Sequence, residues 1–203
     1  MPKPRKVSLR KIRERILILC EGAKTEPNYF AGIKSDKSLD NQLTGLRIEI
    51  YDTKYNTALE LVREAVDLKK EATKESNSYD SVWVVVDLDG YAKHPDAFHL
   101  AKKNKVKIAF SSISFEYWFL LHYGKFNLVF ERSRDLEALL RDKYYINYKK
   151  SFFHYEKLKD KTQRAIHNAQ WLREQIDFKE GDLPYKYNPF TNVDELVEYL
   201  LSL

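Results

Sequence analysis

The sequence predicts an α/β fold in which helices flank a mostly parallel sheet and a helical extension follows. Two observations predict it. Strand-like and helix-like segments alternate with short connections over the first 125 residues, as in chains that form parallel sheets. The apolar runs RILILC (15–20) and VWVVV (82–86) show no polar alternation, which is typical of strands buried on both faces.

Each core element has its own signal in the sequence. The segment LRIEIY (46–51) alternates as a strand does, and residues 57–72 place Leu59, Val62 and Val66 on one helical face. The predicted core elements are, in order, a strand at 15–20, a helix at 25–35, a strand at 46–51, a helix at 57–72, a strand at 82–86, a helix at 95–104, a strand at 106–110 and a helix at 114–123.

The chain outside this core divides into two parts. Residues 1–13 are rich in lysine and arginine and predict a flexible basic arm, so that the core itself covers residues 14–125. From residue 126 the pattern becomes helical and aromatic, which predicts an extension (126–203) that packs back on the core. Its predicted helices are residues 134–144, 157–175 and 193–200.

Composition limits the class of protein. The 203 residues are 43% hydrophobic, which is enough for a core, and the single cysteine excludes an intramolecular disulfide or a cysteine-rich zinc site. No apolar run is long enough for a bilayer, and the basic N-terminus lacks the pattern of a secretory signal. We therefore expect a cytoplasmic protein with no membrane partner.

The net charge of +5 is unevenly distributed and suggests a nucleic-acid partner, RNA or DNA. Arg13 and Arg15 close the basic first segment, and Lys102 and Lys103 belong to a second cluster. All four are candidate phosphate contacts. The alternative is a solvated, partly disordered basic tail.

A third basic region, residues 143–157, interleaves lysines with aromatic side chains. Exposed rings beside basic groups can bind a single strand, because unstacked bases lie on the rings. The alternative, favoured for most of these rings, is that they form the core of the extension. Lys149 and Lys150 are candidate phosphate contacts under either interpretation.

Acidic residues follow two of the predicted strands directly. Glu21 follows the first strand, and Asp87 and Asp89 follow VWVVV. If these strands are neighbours, the three carboxylates meet at the carboxyl edge of the sheet, where open parallel sheets bind ligands. Their mutual repulsion would raise their pKa values, and a hard divalent cation, Mg²⁺ or Mn²⁺, would relieve it. The alternative is that each acid only caps a helix or forms a turn.

Three further residues are candidates at the same edge. Glu116 lies in an otherwise apolar segment just past the fourth strand, so it is either paired or at a site mouth, unless it only caps its helix. Lys24 lies in the loop between Glu21 and Glu26 and could neutralise phosphate charge, or be an ordinary exposed lysine. His122 is a candidate substrate contact, although a lone histidine on an apolar helix is more often a core residue.

Four segments together resemble the RloB-like family, a bacterial group related to the Toprim fold and often found beside restriction–modification genes. They are CEGAKTEPNYF, VWVVVDLDG, IAFSSISFEYWFLLHY and YNPFTNVDELVEYL, within residues 15–200. The Toprim fold, which is Rossmann-like, resembles this chain in having a Glu after its first strand and Asp-x-Asp after a later one. The resemblance implies a Toprim-like core, nuclease chemistry and a role in anti-phage defence, with a defence-system partner protein.

The resemblance also bears on Glu26. Related nucleases have a first motif that looks like Glu-Gly-x-Thr-Glu, with both acids near the metals, whereas EGAKTE here is one residue longer. Glu26 is therefore either a ligand of a second metal ion or out of reach, and its alternative role is that of a first-turn acid favoured by the helix dipole.

The predicted function is Mg²⁺-dependent cleavage of phosphodiester bonds. The alternative is a non-catalytic module that binds nucleic acid or a nucleotide, and a homodimer is the default expectation for the assembly. The predicted catalytic residues are Glu21, Lys24, Asp87 and Asp89, and the predicted metal ligands are Glu21, Glu26, Asp87, Asp89 and Glu116.

Overall fold

The structure of the chain, a computed structural model, describes residues 14–36, 47–88 and 94–203. Two of the predicted functional residues, Arg13 and Asp89, lie outside this part, as does the basic arm of residues 1–13.

The order of elements is that of an alternating α/β core followed by a mainly helical extension. The core elements are β1 (Arg15–Cys20), α1 (Thr25–Ser35), β2 (Arg47–Tyr51), α2 (Ala58–Lys74), β3 (Ser81–Asp87), α3 (His94–Asn104), β4 (Lys107–Ser112) and α4 (Glu116–Leu121). The extension contains α5 (Ser133–Leu139), a π-helical turn (Leu140–Tyr144), α6 (His154–Leu158), α7 (Thr162–Glu174), β5 (Phe190–Thr191) and α8 (Val193–Leu201), with 3-10 turns at Lys159–Lys161 and Pro184–Lys186.

Within the described ranges, five strands form one sheet in the order β2-β1-β3-β4-β5. The first four are parallel, and β5 pairs with β4 in the antiparallel direction. Cys20 at the end of β1 pairs with Val85 of the neighbouring β3. The carboxyl ends of these two strands therefore lie side by side, which is the condition under which the acids that follow them can meet.

Side chains alternate between the two faces of the sheet and so build two apolar layers. Ile16, Ile18 and Val85 face a core shared with α1, α4 and the helices of the extension. Leu17 and Val84 face the layer of α2 and α3. Since both faces are covered, the central strands β1 and β3 are apolar between their ends, which explains the absence of polar alternation in RILILC and VWVVV.

The extension is part of this architecture. It contributes β5 to the sheet, and its helices share the core of the α1 layer. Arg173 of α7 forms a bidentate ion pair with the buried Asp194 of α8, at 2.6 and 2.7 Å, and also donates to the carbonyl oxygen of Thr191 at 2.7 Å. In the described part of the chain, no helix is both long and apolar enough to span a membrane.

Candidate functional site

A cavity of about 420 Å³ opens at the carboxyl edge of the sheet, between the β1–α1 loop and the extension. Four of the predicted acids line it together with two lysines, so the chain brings most of the predicted catalytic and metal-binding residues to one place. The lining residues are Glu21, Gly22, Ala23, Lys24, Thr25, Glu26, Asn56, Asp87, Glu116, Ser133 and Lys150.

Neighbouring strands hold the first two acids against each other. The backbone N–H of Glu21 donates to the carbonyl oxygen of Val85 at 3.0 Å, which extends the β1–β3 ladder by one step. In return, the backbone N–H of Asp87 donates to Oε2 of Glu21 at 3.0 Å. The next residue, Leu88, packs in the opposite layer, as alternation along the strand predicts. The positions of Glu21 and Asp87 are thus set by the backbone of the sheet itself.

Asp87 carries a carboxylate oxygen that water does not reach. Its Oδ1 atom is buried and has no hydrogen-bond partner among the described residues. Burial raises the pKa of Asp87 well above its ordinary value, and the nearby charges of Glu26, Glu116 and Glu21 raise it further. An oxygen in this condition favours a proton or a cation beside it.

Glu26 lies on the first turn of α1 and is buried against Gly22. An added Cβ on Gly22 would lie 2.1 Å from Oε2 of Glu26, so the absence of a side chain at this glycine makes room for the carboxylate. Burial raises the pKa of Glu26 to about 7, with a further contribution from Glu116 that Lys150 partly offsets. The longer EGAKTE spacing therefore leaves Glu26 at the cavity.

Glu116 is buried at the start of α4 and held by two hydroxyl groups. Ser114 donates to its Oε2 atom at 2.6 Å, and Tyr148 of the extension donates to its Oε1 atom at 2.5 Å. In this structure Glu116 is therefore both paired with hydroxyl groups and part of the cavity lining. The extension fixes the position of this carboxylate.

Lys150 brings a positive charge to the acids from the extension. Its Nζ atom lies 2.7 Å from Oε1 of Glu137 and 3.9 Å from Oε1 of Glu116. Partial burial lowers the pKa of Lys150, but the hydrogen bond to Glu137 and the charges of Glu116, Glu137 and Asp87 outweigh burial and leave the pKa raised. Lys24 lines the same cavity from the β1–α1 loop, with an exposed side chain.

The donor set of the cavity fits a hard divalent cation. Carboxylate oxygens are the ligands that Mg²⁺ and Mn²⁺ prefer, and Oδ1 of Asp87 is a buried oxygen with no hydrogen-bond partner among the described residues that could coordinate such an ion. Within residues 14–36, 47–88 and 94–203, however, no three acidic, histidine or cysteine side chains already lie close enough to form a metal-ligating group.

Several predicted nucleic-acid contacts lie elsewhere in the fold. Arg15 begins β1, at the edge opposite the cavity, where its guanidinium pairs with Glu49 at 2.9 Å and lies over the ring of Tyr79. Lys102 and Lys103 are exposed in the last turn of α3, which leads to the amino end of β4 and therefore also to the opposite edge. These three residues are not brought to the acidic cavity.

The prediction that His122 contacts nucleic acid is wrong for this structure, because the side chain is fully buried. Its ring packs edge-on against Trp118, and Nδ1 donates to the carbonyl oxygen of that residue at 2.9 Å. Burial lowers the pKa of His122 to about 3. The other interpretation, a core histidine, is the one that the structure confirms.

Sequence reasoning missed several residues of the site. Tyr148 and Glu137, which hold Glu116 and Lys150, both come from the extension, and Asn56 and Ser133 also line the cavity. The signal that could have found Tyr148 is its place in the segment that interleaves lysines with aromatic residues. That pattern does not show which of its rings turns inward.

Comparison with known proteins gives a family match that covers nearly the whole chain. A family model described as RloB-like protein matches residues 16–200, from the second residue of β1 to within α8. A search of curated proteins finds no match. The family match includes every residue that lines the acidic cavity.

Proposed function

The chain belongs to the RloB-like family, and we propose that it is a metal-dependent nuclease of the Toprim type that cleaves phosphodiester bonds in RNA or DNA. The observation that carries the proposal is the convergence of Glu21, Glu26, Asp87 and Glu116 on one cavity. Burial and mutual repulsion raise the pKa values of Asp87 and Glu26, which is the condition that a bound divalent cation relieves.

Mg²⁺ or Mn²⁺ is the cofactor that this proposal requires. The bound ion would stabilise the negative charge that develops on the scissile phosphate. The residues that would hold it are Glu21, Glu26, Asp87, Asp89 and Glu116, of which Asp89 lies outside the described residues.

The chain's own side chains would perform three tasks around the phosphate. Lys150 and Lys24 line the cavity with positive charge and would contact the non-bridging oxygens, because an ammonium group is a strong donor to phosphate. Glu21 would accept a proton from the attacking water, since a carboxylate on the cavity wall can act as a general base. As the water oxygen bonds to phosphorus, the bond from phosphorus to the leaving oxygen breaks, and solvent protonates that oxygen. Tyr148 and Ser114 would hold Glu116 in place.

The test is a cleavage assay on matched substrates. The purified chain would be incubated with tRNA, single-stranded RNA and plasmid DNA, each in Mg²⁺, in Mn²⁺ and in EDTA. We expect metal-dependent cleavage that falls at least a hundredfold in an Asp87→Ala/Asp89→Ala variant. Asp67→Ala, which removes an exposed carboxylate from α2, is the matched control and should cleave like the wild type.

A second readout keeps the test independent of turnover. Mg²⁺ should raise the melting temperature of the wild type and of Asp67→Ala but not of the double variant, because a ligand that binds only the folded state stabilises it. Cleavage that survives EDTA or the double substitution would contradict the proposal. Salt-sensitive binding of nucleic acid without cleavage, equal in all variants, would instead support the non-catalytic binding module.

A role in anti-phage defence, with a partner protein of the same defence system, belongs to the same proposal and is supported by the family resemblance. Phage should form fewer plaques on cells that carry the gene with its genomic neighbours than on cells that carry the Asp87→Ala/Asp89→Ala form. Equal plating on both would contradict the defence role.

A further inference from the structure

The loop of residues 145–153, called here the aromatic loop, joins the π-helical turn to α6 beside the acidic cavity. Its large apolar side chains divide into two sets. Tyr145 and Tyr148 are buried, whereas Ile146, Phe152 and Phe153 are 75, 40 and 63% exposed. Large apolar side chains of a monomer are seldom exposed together unless a ligand or partner covers them.

Polar contacts with α1 fix the aromatic loop beside the cavity. Thr25 donates to the carbonyl oxygen of Lys150, and Asn28 donates to the carbonyl oxygen of Ser151, both at 3.4 Å. Tyr148 donates to Glu116 from the same loop. The backbone that carries the exposed rings is therefore held in place beside the cavity.

The aromatic loop is also positively charged on its exposed side. Lys149 is exposed, with its Nζ atom 5.6 Å from the centroid of the Phe152 ring, and the next residue, Lys150, reaches into the cavity. Residues 149–153 thus place two lysines, Lys149 and Lys150, directly before two exposed rings, Phe152 and Phe153, with Ser151 between the pairs. This combination is the one that proteins use to bind single strands, with phosphates on lysines and bases stacked on rings.

We propose that the acidic cavity acts on single-stranded nucleic acid, with unpaired bases of the strand stacked on Phe152 and Phe153 and its backbone held by Lys149 and Lys150. The proposal rests on the function proposed above and names its substrate class. A duplex would not satisfy the same contacts, because its bases are stacked on one another and their faces are closed to protein rings.

The experiment measures binding without cleavage. An oligonucleotide that contains 2-aminopurine would be titrated in EDTA, as a single strand and as the duplex with its complement. We expect tighter binding of the single strand, with a fluorescence change that reports stacking on a ring. Phe153→Ala should weaken single-strand binding about tenfold and reduce the fluorescence change, since Phe152 remains. Phe153→Trp should retain the affinity and the fluorescence change of the wild type, since it keeps an aromatic face.

The matched control is Phe178→Ala. Phe178 is 42% exposed but packs on Phe190, in the layer of α2 and α3. This variant should bind like the wild type. Equal affinity of the wild type for single strand and duplex, or equal binding by Phe153→Ala and Phe178→Ala, would overturn the proposal. So would a dimer that Phe153→Ala converts to monomer without a change in binding, because the rings would then cover a second copy of the chain.

The two proposals fail separately. Ring-dependent binding of a single strand without metal-dependent cleavage would contradict the nuclease and support the single-strand site. Cleavage of duplex DNA at the same rate as single strands, lost with Asp87 but not with Phe153, would support the nuclease and overturn the single-strand site.

Discussion

Gly22 leaves the space in which the Glu26 carboxylate lies, and this relation gives a prediction at the scale of one residue. Gly22→Ala would place a methyl group 2.1 Å from Oε2 of Glu26, so the carboxylate must move. The end of a flexible side chain moves at little cost in stability. Its displacement by about 1 Å should lower the rate of cleavage about a hundredfold if Glu26 binds metal.

The control for this prediction is a double-mutant cycle. Glu26→Gln alone should lower the rate to a similar extent, and the Gly22→Ala/Glu26→Gln double variant should be no worse than either single variant, because both act on one carboxylate. Asp67→Ala, at an exposed position of α2 outside the cavity lining, should retain the wild-type rate. Additive losses would mean that Gly22 acts by another route.

His122 gives the second prediction at this scale, on the pH dependence of stability. Burial lowers its pKa in the folded state from an ordinary 6.5 to about 3, so the unfolded chain binds more protons between these values. The stabilising effect of the neutral ring is present above pH 6.5 and is lost as the pH falls toward 3. At pH 5, His122 should lower the free energy of unfolding by about 2 kcal/mol relative to pH 7.

His122→Leu should remove this loss. The substitution gives up the bond to Trp118, but it also removes Nε2, a buried atom without a hydrogen-bond partner in the described ranges. Urea denaturation at pH 7 and pH 5 would measure the difference, with His99→Asn at an exposed position of α3 as the control. An unchanged difference in His122→Leu would show that other groups account for the pH dependence.

At the scale of elements, α1 and α6 pack at a glycine. A Cβ on Gly32 would lie 2.6 Å from Cβ of Tyr155, an atom that cannot move without its helix. Gly32→Ala gains about 1 kcal/mol of helix propensity but forces the helices apart. We expect the free energy of unfolding to fall by a net of about 1 to 2 kcal/mol in urea denaturation.

Lys34→Ala is the control on the same helix. It replaces an exposed residue of α1 and should change the free energy of unfolding by less than about 0.5 kcal/mol. A stabilised Gly32→Ala variant would show that the interface between α1 and α6 can open without cost. Glu26 belongs to α1 and the aromatic loop leads into α6, so cleavage should fall together with stability.

Most elements could be predicted from the sequence because their signals are local. Predicted and observed bounds of β1 and α1 agree, and those of the other core elements differ by one or two residues at most ends. The two-residue strand β5 was not predicted, since its pairing with β4 depends on contacts far apart in the chain. The strand-end position of Glu21 and Asp87 was likewise a local signal, whereas the approach of Tyr148 and Lys150 to Glu116 depends on how the extension folds over the sheet.

At the scale of the whole molecule, the ion pair between Arg173 and Asp194 joins α7 to α8 within the extension. Arg173→Met would leave the buried Asp194 carboxylate without its partner. We expect the free energy of unfolding to fall by about 3 to 5 kcal/mol, in a single transition, because the core is continuous from β1 to α8.

Two variants check the cause. In Arg173→Met/Asp194→Leu neither charge remains, so much of the lost stability should return. Lys186→Met breaks an exposed ion pair with Asp182 and should leave the free energy of unfolding close to that of the wild type. Separate unfolding transitions for core and extension in the wild type would contradict the continuous core.

The pairing of β4 with β5 joins Ser111 to Thr191, 80 positions later in the chain. A chain that grows on the ribosome therefore presents β4 as a temporary edge of the sheet until residue 191 has been made and has left the exit tunnel. Through that interval the strand offers unpaired backbone groups to any neighbouring extended segment. Chaperone binding during synthesis should concentrate on this interval, which begins once β4 has emerged and ends when Phe190 and Thr191 pair with it.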